Sequence, residues 1–252
     1  MNKSNSLLSQ DPEVIVFNLK QRYTGVSATI NALVPLQAKH WRLGFCGTRM
    51  SNGIDGMSLG QAIALSRQPP TGRAFRIWHV RRDPEMMAAI FARDVLRLPI
   101  KLVFTSAAQH LHGWFPRWLI SKMDAVISTT PLAASFVPNT TAIVPHGIDL
   151  SRFSPPSDKL KAWADSGLPG QYGIGVFGRV RPDKGSDVFV QAMIQALPQL
   201  PGATAVIAGL AQPQHQAYQQ DLQRQIDDAG LNDRIIFCLL YTSPSPRDAH
   251  ES

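Results

Sequence analysis

The sequence predicts an α/β protein of two doubly wound, mostly parallel lobes, the second incomplete. Three observations carry that reading. Short apolar runs alternate with stretches of helical period from residue 13 to 237. A Pro/Ser-rich break, LSRFSPPSDK, falls just after residue 149. About three strands follow the break, where such a domain usually carries five or six.

Each element has a local reason. EVIVFNL (13–19) is apolar and β-branched and reads as the first strand; TGVSATINALVPLQAK continues as a turn and a helix. HWRLGFCG (40–47) is a second strand, and MSLGQAIALSRQ (57–68) a helix closed by Pro and Gly. FRIWHV (75–80) is a third strand. DPEMMAAIFARDVLRL (83–98) reads as a helix with Asp83 as N-cap, Pro84 at its first position and Glu85 in its first turn. IKLVFTS (100–106) and AVISTT (125–130) are further strands and TAIVPHGID (141–149) is a strand running into a loop, with helices over PRWLISKMD (116–124) and PLAASFV between them. The second lobe opens with the strand QYGIGVFG (171–178). It continues through a helix over SDVFVQAMIQAL, the strand ATAVIAG (203–209), the helix AYQQDLQRQIDDAG and the strand RIIF (234–237). Gly230 stops that last helix. The Ser/Pro-rich tail at 238–252 has no periodicity. YTSPSPRD there resembles a translated sequencing adapter, and a disordered terminus is the other reading.

The chain has 252 residues, a 44% apolar and a 17% charged fraction, all usual for a globular protein. No apolar run reaches the roughly 20 residues that span a bilayer, and the start lacks a signal-peptide pattern, so the expected compartment is the cytoplasm. Two cysteines, Cys46 and Cys238, make neither a disulfide framework nor a metal cluster. Cys46 is expected to pack as a small buried residue. The net charge is +7, and residues 1–148 alone carry +9. That asymmetry suits an anionic partner for the first lobe, whether phosphorylated lipid, membrane or nucleic acid; a merely solvated basic surface is the plain alternative. The basic residues are scattered rather than striped and no nucleic-acid motif occurs, so no nucleic-acid partner is expected.

GRVRPDKG (178–185) holds the strongest chemistry. It follows a strand and precedes a helix with Ser186 and Asp187 in its first turn. A helix N-terminus presents free N–H groups and partial positive charge, which favour phosphate. Arg179 and Lys184 add two cations, suited to a diphosphate leaving group as its oxygen gains charge; a solvated basic turn has the same letters. His79 ends the third strand, at the edge where such sheets place ligands, though a histidine there is as often structural. Arg81 and Arg82 follow it and can clamp phosphates or carboxylates, or simply be solvated. HLHGWFPRWLISK (110–122) interleaves aromatics with Arg117 and Lys122, fitting either a membrane interface or a helix packed on the sheet. GIGVFG (173–178) matches G-x-G-x-x-G but lies within a strand, with no acidic residue about 20 positions on, so it does not read as a dinucleotide site. No metal-ligand spacing occurs.

G-R-x-x-x-x-K-G after a Gly-bounded strand is similar to the donor-diphosphate motif of glycosyltransferase family 4. PHGID (145–149) resembles that family's interdomain motif, and TGVSATI (24–30) sits where the family has its first Gly-rich turn. The resemblance spans about 13–237. WHVRRDPEM, LVFTSAAQ and GRVRPDKGSDVFV look most like the lipopolysaccharide-core mannosyltransferases of that family.

The resemblance implies a GT-B fold. Residues 1–148 would be an acceptor-side Rossmann-like domain and 149–170 an interdomain linker. Residues 171–237 would be a partial nucleotide-sugar domain and 238–252 an artefactual tail. It implies a retaining transfer of a hexose, mannose from GDP-mannose, to an anionic lipid-linked lipopolysaccharide-core acceptor. No cofactor or metal is implied, and the setting is the cytoplasm, on the inner face of the inner membrane. Arg179, Lys184 and Gly25 would bind the donor diphosphate, His79 would be catalytic, and Arg81 and Arg82 would hold the acceptor. Three departures stand out. Thr105 and Ser106 occupy the place of a histidine common at the fourth strand's end. The first turn has the single Gly25. The segment with two glutamates eight positions apart is not reached, so the chain as given is expected to be inactive. The alternative function is a non-catalytic module that binds anions or a membrane surface.

Overall fold

The computed structural model describes residues 8–20, 25–48, 50, 54–137, 139–147, 150 and 153–238. Thr24 of the first turn, Ile148 and Asp149 of PHGID, and the tail beyond Cys238 lie outside the described residues. The chain divides into two compact units, Met1–Arg152 and Phe153–Ser252.

The first unit carries one six-stranded sheet in the order β2-β1-β3-β4-β5-β6. Its strands are β1 (Val14–Asn18), β2 (Leu43–Gly47), β3 (Arg76–Val80), β4 (Ile100–Ser106), β5 (Ala125–Ser128) and β6 (Thr140–Ile143). Every pairing is parallel. The order reverses direction between β1 and β3, and sheets of this kind place ligands outside the carboxyl ends of the strands at such a point. Alternate side chains of each strand divide between the faces. Ile15, Phe17, Cys46, Trp78, Val80, Leu102 and Phe104 build the main core on one face; Val16, Leu43 and Phe45 meet α1 (Gly25–Gln37) on the other. Phe17 and Trp78 rings lie 4.7 Å apart, and Trp78 Nε1 donates to the buried Ser66 hydroxyl at 2.9 Å.

The amino ends of these strands are tied by a buried arginine. Arg76 donates to the carbonyls of Pro12 (2.6 Å), Gln68 (3.1 Å) and Leu65, and pairs with Asp11 at 3.0 Å. Four of its donors are thereby satisfied away from water, as a buried charge requires.

The helices depart from the sequence expectations in detail. α2 is Leu59–Leu65, opened by a capping box between Ser58 and Gln61. α3 is Asp83–Ile90: Asp83 is its first residue, and Arg82 holds the cap position without a side-chain cap bond. Asp83 is therefore not the N-cap: the first helical bond runs from the Met86 N–H to the Arg82 carbonyl at 2.9 Å, which sets the cap one residue earlier. The helix continues as a π-helical turn, Phe91–Val95, and ends at Arg97 with φ +53°. α4 (Trp114–Ser121) starts two residues before the expected helix and takes in Trp114. α5 (Pro131–Ser135) is capped by Thr130.

The second unit has a parallel three-stranded sheet, β7 (Tyr172–Phe177), β8 (Ala203–Ala208) and β9 (Ile235–Cys238), in that order. Cys238 pairs with Ala208, so the strand runs one residue into the stretch expected as tail. α7 (Ser186–Ala196) and α8 (Gln216–Asp228) pack on it through Val190, Leu222 and Ile226. α6 (Lys159–Asp165) lies within the expected linker. Asp158 caps it, accepting from Lys161 N at 3.0 Å, and Trp163 packs so closely on Gly173 of β7 that a Cβ there would meet its ring at 2.5 Å. That contact fixes α6 to the second unit. No helix among the described residues is long and apolar enough to cross a membrane.

Candidate functional site

Each unit presents a group of polar residues at the carboxyl end of its sheet. In the second unit the group is the turn between β7 and α7. Gly178 closes the strand with φ +150°, a conformation L side chains rarely adopt, and its N–H donates to Ala208 O at 3.0 Å. Gly209 makes that closeness possible, since a Cβ there would lie 1.8 Å from Gly178 O. Val180 is buried and bridges to Ala211, which pins the middle of the turn. Pro182–Lys184 is a 3-10 turn, and Gly185 at φ +70° redirects the chain into α7.

Between these anchors Arg179 and Lys184 are exposed, and neither has an ion pair among the described residues. Arg181 is different: its Nε lies 2.8 Å from Asp183 Oδ1. The start of α7 is partly occupied by the protein itself. The Asp187 N–H donates to Tyr218 Oη at 3.0 Å, and that hydroxyl donates to Asp187 Oδ1, also at 3.0 Å. Burial raises the Tyr218 pKa, with Asp187's carboxylate adding to it, so the phenol stays protonated. Sequence reasoning missed Tyr218, which lies 31 residues from its partner.

In the first unit, β1, β3 and the start of α1 meet beside the order reversal. Glu85 is buried there. It accepts from Leu19 N (3.2 Å), Arg81 N (2.8 Å) and Arg82 Nη1 (3.1 Å), joining the loops after β1 and β3. Arg82 also donates to Asn18 Oδ1 at 2.6 Å and Ser27 Oγ at 3.3 Å. Its guanidinium is thus engaged by the protein on both terminal nitrogens, which makes it a brace between β1, α1 and α3.

Arg81 has the opposite standing. Its Nε is buried with no hydrogen-bond partner among the described residues, as are Ser106 Oγ at the end of β4 and His112 Nε2 in the following loop. Burial holds the Arg81 pKa below the usual guanidinium range, offset in part by Glu85. Unmet donors of this kind are costly inside a protein and suit a ligand that accepts from them.

His79 is 8% exposed, and its Nε2 lies 2.7 Å from Thr105 Oγ1 on β4. Burial, then the Arg81 charge, push its pKa down to about 3. The ring is neutral at ordinary pH and is a poor proton carrier there. It points into the sheet face, where it lines a cavity of about 670 Å³ with Val14, Leu43, Ile77, Val103, Trp41 and Phe75. Gly25 opens α1 and is exposed; a Cβ on it would meet nothing within 4 Å, so the protein's own packing does not demand glycine there. α1 has no acidic residue in its first turn. Cys46 is fully buried, and burial first, then Glu85, lift its thiol to about 12, so it is inert packing.

No family model matches the chain. It is 41% identical over 229 residues to the lipopolysaccharide core biosynthesis mannosyltransferase LpcC of Rhizobium leguminosarum bv. viciae, covering 90% of this chain and 65% of that protein. It is 43% identical over 232 residues to the lipopolysaccharide core biosynthesis mannosyltransferase LpsB of Rhizobium meliloti (strain 1021), with the same coverage. The chain thus spans 65% of the length of these curated relatives. Among solved structures, Anabaena Alr3699/HepE in complex with UDP matches with a TM-score of 0.70 at 17% identity, over 90% of this chain and 68% of that one. That likeness is one of fold, the GT-B fold, as the sequence motifs imply.

Proposed function

We propose that this chain, a homologue of the lipopolysaccharide-core mannosyltransferases, is part of a retaining glycosyltransferase that moves mannose from GDP-mannose to an anionic lipid-linked core saccharide. The observation that carries the reading is the β7–α7 turn. Two exposed cations, Arg179 and Lys184, without an ion pair among the described residues, stand on a backbone fixed by Gly178, Gly185, Gly209 and buried Val180.

Transfer breaks the bond between the sugar's anomeric carbon and the donor's phosphate oxygen. Negative charge grows on that oxygen as it leaves. Fixed cations near it stabilise the transition state more than the ground state, without reorganising water. Arg179 offers a planar fork suited to phosphate oxygens and Lys184 a compact point charge. Asp187 and Tyr218 already use part of the helix end, so the two side chains carry most of the electrostatic work in this reading. In the first unit, Gly25 opens α1, whose first turn has no acidic residue, so the backbone N–H groups there are suited to a phosphate in this reading.

On the acceptor side, the unmet Arg81 Nε and Ser106 hydroxyl are the groups offered to a phosphate or carboxylate of the core saccharide. Arg82, bonded to Glu85 and Asn18, serves in this scheme to brace the backbone of Arg81 rather than to hold the acceptor itself. His79, neutral and bonded to Thr105, acts in this scheme as a hydrogen-bonding wall, not as a proton donor. The proposed setting is the cytoplasm, on the inner face of the inner membrane, and no cofactor takes part.

In the intact transferase, Lys184→Ala should lower kcat with GDP-mannose roughly 10²–10³-fold, the usual loss for one such electrostatic contact. Its thermal midpoint should not move, because the side chain is exposed. An unchanged kcat would remove Lys184 from the mechanism.

A further inference from the structure

Two neighbouring helices of the first unit turn apolar side chains outward. Along α3 and its π-helical turn, Met86, Ala89 and Ala92 are buried. Met87, Phe91 and Val95, each four residues apart, are 50%, 51% and 62% exposed. On α4, Leu119 and Ile120 are buried, while Trp114 and Trp118, again four apart, are 80% and 47% exposed. A spacing of four keeps each set on one stripe of its helix.

The stripes belong to one surface. Arg93, in the π-helical turn that continues α3, donates to the carbonyl of Lys122, just past α4, at 2.8 Å. At the other end, Asp83 opens α3 close enough to act electrostatically on His112, just before α4. The helices therefore run side by side and in the same direction. Five large apolar side chains on one outer face are not explained by packing, since the inward faces already fill the core.

Charge says what covers them. Arg93 and Lys101 neutralise Asp94 and Asp124 through contacts of 2.7–2.9 Å. Arg97, Arg117 and Lys122 remain exposed without an ion pair among the described residues. Lys122 Nζ lies 5.8 Å from the centre of the Trp118 ring, so cation and aromatic share one spot. Exposed tryptophans beside basic residues suit the headgroup layer of a bilayer, where the ring is half immersed and the cation meets anionic lipid. A two-fold self-association through the same face would instead set the same cations against each other.

We infer that the outer faces of α3 and α4 form a docking surface for an anionic lipid bilayer, with Trp114, Trp118 and Phe91 entering the headgroup layer. The inference stands apart from the transfer reading: binding is measured without donor, so either can fail alone.

The test is flotation of the chain with vesicles of phosphatidylcholine alone or with one third phosphatidylglycerol. The chain should float with the anionic vesicles and stay largely free of the neutral ones. Trp114→Ser with Trp118→Ser should lower the partition coefficient roughly tenfold or more while leaving circular dichroism and thermal midpoint unchanged. Arg117→Gln and Lys122→Gln should each lower it about fivefold. Lipids brominated near the headgroup should quench the emission of the parent chain and spare that of the double Trp variant. Equal partitioning of parent and variants, or no partitioning of the parent, overturns the inference. A concentration-dependent dimer that the Trp substitutions dissolve, without vesicle binding, also overturns it and assigns the face to a second copy.

Discussion

The two units solve the same local problem, holding charged residues at the end of a parallel sheet, in opposite ways. In the first, side chains do it. Glu85, Arg82, Asn18 and Ser27 are buried or nearly so and bond one another across β1, β3, α1 and α3. In the second, backbone does it. Gly178, Gly185 and Gly209 shape the β7–α7 turn, and Arg179 and Lys184 are left facing water. A cation's place in a sequence motif therefore does not tell whether it is available. The nearest carboxylate does: Arg82 has Glu85, Arg181 has Asp183, and Arg179 and Lys184 have none among the described residues.

If that contrast is right, removing a carboxylate should cost very different amounts in the two places. Glu85→Ala takes a carboxylate partner from a half-buried Arg82 and leaves the N–H groups of Leu19 and Arg81 unmet, so it should destabilise the first unit by about 3 kcal/mol. Asp183→Ala removes the partner of Arg181 on an exposed turn and should cost less than about 1 kcal/mol. Urea titrations followed by far-ultraviolet circular dichroism measure both. Similar losses for the two variants would break the comparison.

A smaller effect comes from His79, and its sign is fixed by burial. The folded pKa of about 3 lies below the ordinary 6.5, so the unfolded chain binds a proton that the folded one refuses. Stability is complete above pH 6.5 and falls as the pH drops toward 3. By about pH 5 the loss from this one group should reach about 2 kcal/mol. His79→Gln keeps a hydrogen bond to Thr105 within reach and should flatten that part of the pH profile. A variant as acid-sensitive as the parent would mean that the ring titrates freely and that the buried edge is wetter than its side chains indicate.

Much of this was legible in the letters. Period and β-propensity located the nine strands of the described residues to within a few residues, because most are short, apolar and bounded by turn residues. The GT-B fold and the lipopolysaccharide-core relatives followed from local motifs such as GRVRPDKG. What escaped depends on contacts between distant residues. Glu85 reads as an ordinary first-turn acid, yet its partner Leu19 lies 66 residues away. Arg81 and Arg82 are adjacent and chemically alike, and only the fold separates the braced one from the one with an unmet Nε. α6 hid in Pro/Ser-rich text because a seven-residue helix has a weak period; Asp158 as its cap and Trp163 as its contact were the available signs. The outward stripe of α3 was invisible for another reason: periodicity reports an apolar residue but not which side of the helix the core has already claimed.

The last and smallest prediction asks how much of the second unit's turn is helix end and how much is side chain. Tyr218 bonds both the N–H and the carboxylate of Asp187, so one donor at the start of α7 is spent inside the protein, and a negative charge stands beside it. A diphosphate drawn mainly to the helix end would compete with that pair; one drawn to Arg179 and Lys184 would not. Tyr218→Phe removes the hydroxyl and should lower stability by about 1 kcal/mol, the net worth of such bonds. Calorimetric titration with GDP-mannose should then show Kd within about twofold of the parent, because the two cations are untouched. A Kd tightened by tenfold or more would mean that the freed N–H binds phosphate, and the second unit would then rest, like the first, on groups its own side chains hold in check.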